Sequence, residues 1–361
     1  MTEQIPVAII ATAQTPSYRA YEDSEPTLIM GCVNHLLDET GLERHDIGFT
    51  IAGSCDYLSG FPFAFVSNIE GVGAWPPVYE SHVEMDGAWA LNEAWMRLQV
   101  GDIDLALVIG SGKSSPGRPL EVFSLQTDPY VMAPLGLDPL SLAGLQARTL
   151  IDAGIATEAD FAEVVSRSRR DALDNPNAQV SGDHSVEELL AEPYLSAPLR
   201  RHDLPPISDG AAALVLAAGD RARDLADHPV WIRGLDHRID SHHPGLRDLT
   251  RSPSTELAAA GAGVGDGPVD VAEVMANYSS EEIVLRNALG LNGSTVINPS
   301  GGPLAAHPQM ATGLIRVIEV ADRIADGRAG RGVAHASSGP CLQQNLVCVL
   351  EGGEPHRKGD Q

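Results

Sequence analysis

Short apolar runs and helically spaced apolar stripes alternate along the first hundred residues. Residues 7–13 form an apolar run of strand length, interrupted only by Thr12, which predicts a buried strand. Pro26 then opens a stripe in which Ile29, Val33, Leu36 and Leu37 recur at helical spacing, and Gly41 closes it. Cys32 falls on the apolar face of that predicted helix and is expected in the core. Strands are predicted over 47–52 and 78–83. Between 85 and 100 the chain is apolar almost all round, with Trp89, Leu91, Trp95 and Leu98, the signature of a buried helix. A strand over 105–109 leads into Gly110, Ser111 and Gly112. Strands alternating with helices predict an α/β class with layered architecture.

The rhythm breaks over 116–200, where helices are predicted near 140–153 and 158–173 between Pro- and Asp-rich connections. An insertion of that length is expected to carry specificity or an interface. A turn and a buried strand follow over 206–216, and then the pattern repeats. The run 270–277 mirrors 47–52. The strand 294–298 and the helix 310–324 mirror 78–83 and 85–100. The strand 332–336, ending in Ser337, Ser338 and Gly339, mirrors the one ending in Gly110. The offset stays near about 220 residues, which reads as a duplicated unit. The expected domains are 1–115 with 201–226 as the N-terminal half, 116–200 as the insertion, 227–353 as the C-terminal half, and 354–361 as a frayed polar tail.

Composition narrows the partners. A chain of 361 residues with 43% hydrophobic content can bury a large core. The net charge of −25 argues against nucleic acid or an anionic membrane as the main partner. Arginine groups at Arg167, Arg169 and Arg170, and at Arg200 and Arg201, keep a phosphate-bearing ligand open. No apolar run reaches the roughly 18 residues of a membrane span. The first residues lack a basic segment, so no signal peptide is expected. Cys32, Cys55, Cys341 and Cys348 form no CxxC pair, which fits reduced thiols in a cytoplasmic protein. The glycine string 261–267 lacks the strand–turn–helix order of a dinucleotide loop, and His242 and His243 lack a third ligand, so no metal is expected.

Chemistry concentrates in the string NPSGGPLAAHP at 298–308. Its paired glycines allow close backbone approach, and His307 sits just before a predicted helix, where an imidazole can donate to an oxyanion or exchange a proton. The string resembles the N-x-x-G-G…G-H-P signature of thiolases. The order of the pieces, the stretch 191–216 and the run from Cys341 to Leu346 resemble the sterol-carrier and lipid-transfer type of thiolase-like protein. The resemblance implies two αβαβα-type halves that share a pocket and a dimer built across the N-terminal halves. It also implies a coenzyme A thioester as ligand, with coenzyme A as part of the substrate and no bound cofactor. Asn298, Gly301, Gly302 and Gly339 are its implied substrate-binding positions.

The departures matter as much. Thiolases place a nucleophilic cysteine at a helix N-terminus in a C-x-x-G context, and here that context reads Glu84, Met85, Asp86, Gly87. A carboxylate at a helix tip suits the dipole but is a poor acyl acceptor, so Glu84 is expected as a general base and thiolysis is not expected. The second motif reads Glu273 to Tyr278, with Met275 and Ala276 in place of a His–Asp pair. Tyr278 is the candidate proton donor there, with Met275 and Asn277 as further candidates. His307 is retained, although Ala306 replaces a glycine, and Cys341 lies near the last cysteine motif but out of register. These residues point to retro-aldol cleavage of a β-hydroxyacyl-CoA. Some cysteine-lacking relatives are similar, acting as aldolases on steroid side-chain CoA esters with a small OB-fold, zinc-ribbon partner. The alternative is a non-catalytic subunit that binds acyl-CoA or lipid as a homodimer or beside a thiolase-like paralogue. An acyl-CoA acetyltransferase is the third reading, disfavoured by Glu84.

Overall fold

The computed structural model describes residues 4–353, so the predicted frayed tail lies outside the described residues. The strands are β1 (Val7–Gln14), β2 (Phe49–Gly53), β3 (Glu80–Val83), β4 (Leu105–Lys113), β5 (Tyr194–Ser196), β6 (Leu199–Arg200), β7 (Asp209–Ala218), β8 (Val230–Ile239), β9 (Val271–Val274), β10 (Val296–Ile297), β11 (Arg331–Ser338) and β12 (Gln344–Glu351). The helices are α1 (Glu25–Thr40), α2 (Asp56–Ser59), α3 (Phe65–Val72), α4 (Gly87–Val100), α5 (Pro119–Leu125), α6 (Pro139–Asp152), α7 (Glu158–Asp171), α8 (Val186–Leu190), α9 (Gly219–Leu225), α10 (Pro253–Ala262), α11 (Ser279–Ala288) and α12 (Thr312–Ala325).

Ten strands run in the order β10-β9-β11-β12-β8-β1-β7-β4-β2-β3. Read outward from the centre, both halves have one topology. β2 is parallel to β3 and β4, and β7 is antiparallel to β4 and β1. In the other half β9 is parallel to β10 and β11, and β12 is antiparallel to β11 and β8. The halves join where Ala8 and Ile9 pair with Trp231 and Val230. The duplication expected from the sequence is therefore present as repeated strand order.

Alternation along the strands sets the layers. Ile9, Ile51, Val108, Ala334, Leu346 and Cys348 turn inward to one core shared with α4 and α12. Their neighbours Ala8, Ala52, Leu107 and Val215 turn outward to α1. Val333, Val347 and Val349 turn outward to α10, α11 and α6. The result is helix, sheet, helix, sheet, helix, with α4 and α12 in the middle. Cys32 is buried on α1 as expected.

Boundaries moved for local reasons. The helix expected from 85 begins at Gly87, because Asp86 caps it. The strand expected over 270–277 stops at Val274, and 275–278 turns into α11. β8, β12, α3 and α11 were not legible as elements in the sequence. Within the insertion, α7 starts on a capping box formed by Thr157 and Asp160 and ends on Arg169 and Arg170, which complement its dipole. Ser168 of α7 donates to Gly301 O, tying the insertion to the C-terminal half.

Candidate active site between the two halves

The C-terminal ends of β2, β3 and β4 and of β9, β10 and β11 carry the candidate residues of each half. Ligands in open α/β sheets gather at such ends. Between the halves, the N-termini of α4 and α12 are joined by one buried carboxylate. Asp86 Oδ1 accepts from Ala88 N at 2.9 Å and Leu314 N at 3.1 Å, and Oδ2 accepts from Gly313 N at 2.9 Å. Gly87 N donates to Met310 O at 2.8 Å. A Cβ on Gly313 would lie 2.5 Å from Asp86 Oδ1, so only glycine allows this approach. Burial holds the Asp86 carboxyl above its ordinary range, and the three amides and the Arg316 charge offset only part of that rise.

His307 is buried at 6% exposure on the segment entering α12. Its backbone N donates to Ser208 Oγ at 3.0 Å. The segment lies tight against β4, where a Cβ on Gly112 would fall 1.8 Å from Gln309 O. Thr312 Oγ1 lies 2.9 Å from Pro308 O and 3.0 Å from His307 Nδ1. The hydroxyl has one proton and the carbonyl can only accept. Both contacts are satisfied together when Thr312 donates to Pro308 O and His307 Nδ1–H donates to Thr312. Nε2 is then the bare nitrogen, and it makes no hydrogen bond among the described residues. Burial, followed by the charge of Arg316, pushes the imidazole down to about 4, so it is neutral near pH 7. Arg316 is itself held by Glu273, and by Ser300 Oγ at 2.6 Å. The arrangement is that of a proton acceptor.

Glu84 requires a correction. It is an exposed residue two positions before the helix cap, and its Oε1 accepts from Asp56 N at 2.7 Å. The helix tip belongs to Asp86, whose short side chain reaches back to the first-turn amides. Glu84 lies beside Cys55, whose thiol is raised first by burial and then by Glu84.

The glycine pair shapes the loop before His307. Gly301 and Gly302 have φ of 91° and 62°. A Cβ on Gly301 would meet Ala172 and Ala305 at 2.7 Å, and one on Gly302 would meet Asn298 Nδ2 at 2.8 Å. These glycines make the turn and its packing against the insertion. Asn298 braces the same frame, accepting from Val274 N at 2.7 Å and donating to Glu282 at 3.2 Å.

Met275 is buried in the central core, and its carbonyl accepts from Ser337 Oγ at 2.9 Å. Asn277 N donates to Glu281 at 2.9 Å, while its buried Oδ1 has no partner among the described residues. Tyr278 is half-buried at the start of α11, and burial, then Glu281, Cys341 and Asp138, hold its hydroxyl far above the ordinary range. Glu281 is buried and raised to about 7. Gly339, with φ of 75°, turns the chain out of β11. Cys341 follows in the same hairpin, buried, with Sγ 3.5 Å from Leu142 O and its thiol pushed up to about 12 by burial and Glu281. Arg247 holds the carbonyls of Pro340 and Cys341 at 2.9 and 2.8 Å.

The structure thus gathers Tyr278, Asn277, Glu281 and Cys341 on one side, and His307, Thr312 and Asp86 at the helix junction. Asp86, Thr312 and Ser208 were missed as site residues, although a cap signal was readable at Asp86. Clefts of 430 and 380 Å³ lie elsewhere, beside Arg44 and Trp75 and beside Tyr79 and Arg97. Among the described residues no helix is long and apolar enough to cross a membrane.

No family model matches the chain. It is 27% identical over 358 residues to an acetyl-CoA acetyltransferase of Methanothermobacter thermautotrophicus, covering 90% of this chain and 92% of that protein. It is 25% identical over 300 residues to sterol carrier protein 2 of Gallus gallus, covering 72% of this chain and 54% of that protein. Among solved structures, the Ltp2-ChsH2(DUF35) aldolase superposes with a TM-score of 0.81 at 20% identity, covering 98% of this chain and 99% of that one. Human mitochondrial 3-ketoacyl-CoA thiolase superposes at 0.77 with 15% identity, covering 97% and 99%. With the duplicated halves, the two central helices and the histidine string before α12, these likenesses give the chain a thiolase fold and make it similar to thiolase-superfamily proteins, those of the lipid-transfer type among them.

Proposed function

We propose that the chain cleaves a carbon–carbon bond of a β-hydroxyacyl-CoA by a retro-aldol reaction, in the breakdown of a lipid or steroid side chain. The observation that carries this reading is the buried neutral His307 with a bare Nε2. In the proposed step Nε2 takes the β-hydroxyl proton. The Cα–Cβ bond breaks as the carbonyl forms, and its electron pair passes into the thioester enolate. The imidazolium then returns the proton to Cα, releasing a ketone or aldehyde and a shorter acyl-CoA. Tyr278, kept neutral, and Asn277 are the candidate donors to the enolate oxygen. Asn298, Gly301 and Gly302 brace the loop that leads to His307, and coenzyme A enters only as part of the substrate.

Acyl transfer finds less support, because the N-terminus of α4 carries Asp86 and Gly87 and no cysteine. The aldolase neighbour pairs Ltp2 with ChsH2(DUF35), which supports an OB-fold, zinc-ribbon partner for this chain. The edge strand β3 and the exposed Tyr57, Phe63, Trp75 and Tyr79 support a homodimer, or a heterodimer with a paralogue, across the N-terminal half. A second reading is a non-catalytic subunit that binds acyl-CoA. It is favoured by Met275 and Ala276, which are packed apolar side chains at a motif position.

The test supplies a β-hydroxyacyl-CoA with a tertiary alcohol to the chain alone and with an OB-fold partner. A ketone and a shorter acyl-CoA are the expected products. Binding without turnover in both conditions would favour the subunit reading, and thiolysis of a 3-ketoacyl-CoA would overturn both.

A further inference from the structure

Within the insertion, the segment 127–137 between α5 and α6 is tied to the body by one side chain. Every hydrogen bond it makes among the described residues stays within 124–136. Asp128 folds it on itself, its Oδ1 accepting from Tyr130 N at 3.1 Å and its carbonyl from Ala133 N at 2.9 Å. Met132 is the segment's one buried residue, at 7% exposure, while Tyr130, Val131 and Leu135 face solvent. Met132 enters a small apolar cluster with Leu142 and Cys341, bordered by Leu137 and Leu249 and separate from the larger cores. The opposite walls of that cluster are fixed. Arg247 holds the carbonyls of Pro340 and Cys341, and Cys341 Sγ lies 3.5 Å from Leu142 O. Leu142 sits on α6, which packs into the C-terminal core through Ala143 and Ala147. The member free to leave is therefore Met132, an unbranched side chain that adapts to irregular gaps. The cluster also adjoins the candidate donors. Tyr278 packs against the same core as Leu140 and Ala143 of α6, and Cys341 is near enough to act on its hydroxyl.

We propose that Met132 is a displaceable plug in the apolar subsite for the substrate's acyl group, so that a long or ring-bearing acyl group binds by expelling it and an acetyl group does not reach it. The exposed Tyr130, Val131 and Leu135 then supply apolar cover for the bound group. Met132 thereby sets specificity and takes no part in the bond-breaking step. The inference deepens the reading of the ligand as a coenzyme A thioester and rests on it for that ligand, but it makes no use of the retro-aldol chemistry.

The readouts are binding and thiol exposure, so a chain that binds these esters and cleaves none would sink the retro-aldol reading and leave the plug standing. Octanoyl-CoA and acetyl-CoA, neither with a β-hydroxyl to cleave, are titrated against the full chain, Met132→Ala and the volume-conserving Met132→Leu. Met132→Ala removes the cost of expulsion and should tighten octanoyl-CoA binding by about 3- to 10-fold. Acetyl-CoA should stay within about twofold, and Met132→Leu should behave as the parent chain. Cys341 reports on the same subsite through iodoacetamide alkylation, read on its own peptide. Without ligand, Met132→Ala should speed that alkylation by about tenfold or more. Octanoyl-CoA should return it to the parent rate, while acetyl-CoA and free coenzyme A should not. Equal shifts for both esters would overturn the proposal, as would an unchanged Cys341 rate or equal protection by free coenzyme A. Failure of both esters to bind any of these chains would overturn it too. Met132→Val, a smaller cut, should move every reading the same way and decides the question if the alanine variant does not fold.

Discussion

The two halves share a strand order and differ in what they do with it. The N-terminal half follows β3 with an exposed carboxylate, Glu84, and presents Tyr57, Phe63 and Trp75 to solvent. The C-terminal half follows its short β10 with a buried imidazole, a strained-looking but well-braced turn at Asn298 (φ 47°), and a helix that lacks its own cap. That missing cap is supplied by Asp86 from the other half. The repeats have become complementary: one carries the buried imidazole that the proposed reaction uses, and the other supplies the carboxylate that caps its helix.

The largest expected effect breaks the chemical side of this contrast. His307→Gln should lower retro-aldol product release by about 10²- to 10⁴-fold, the usual range for a general base. Retention of the rate would remove His307 from that role. Next comes the seat that the N-terminal half gives to the histidine segment. Gly112→Ala places a methyl group where Gln309 O lies 1.8 Å away, so the segment must move. A loss of about 1–3 kcal/mol in urea denaturation is expected, with cleavage falling in parallel. Full stability would mean that the two halves meet less tightly than described.

Acid should expose the C-terminal half in particular, since His307 and His335 are both buried there and both pushed down to about 4, in each case chiefly by burial. Between the ordinary value of about 6.5 and about 4 the unfolded chain takes up protons that the folded chain refuses. Stability is therefore intact above pH 6.5 and lost as pH falls toward 4, on the order of 3 kcal/mol per histidine. Glu281, raised to about 7, works the opposite way. The folded chain keeps that proton between about 4.5 and 7 while the unfolded chain has lost it, so its share of stability falls as pH rises. Glu281→Gln should gain stability relative to the parent chain as pH rises through that window, measured by urea midpoints at pH 5 and 7.5. The smallest effect sharpens the comparison from the other side. Glu84→Gln should change kcat/KM by less than about threefold, as for an exposed side chain outside the reacting centre. A large loss would return Glu84 to the chemistry.

Much of the fold was legible because its signals are local. The buried strand at β1, the apolar helix α4 and the helix α12 announce themselves by run length and spacing, and the repeat appears as a recurring order of those signals. β8 and α11 were not legible, since their charged residues are buried or paired only after folding. Glu282, nearly fully buried against Arg167 and Asn298, is such a case. The site was legible in its histidine and much less so in its partners. Glycine spacing pointed to Glu84 as the helix tip, but spacing does not say which side chain turns back to the amides.

The sequence by itself determined the α/β layering, the duplicated unit, the lack of a cysteine before α4 and the presence of a histidine before α12. Each of these is read from signals local to a few positions, the duplicated unit from the order in which such signals recur. Only the tertiary structure decided that Asp86 meets Gly313 and Leu314, 227 and 228 positions away. It also decided that Thr312 sets the imidazole tautomer, and that Gly301 and Gly302 pack against the insertion. Electrostatics and close packing act through space, so charges distant in sequence acquire their meaning only when the two halves close on each other.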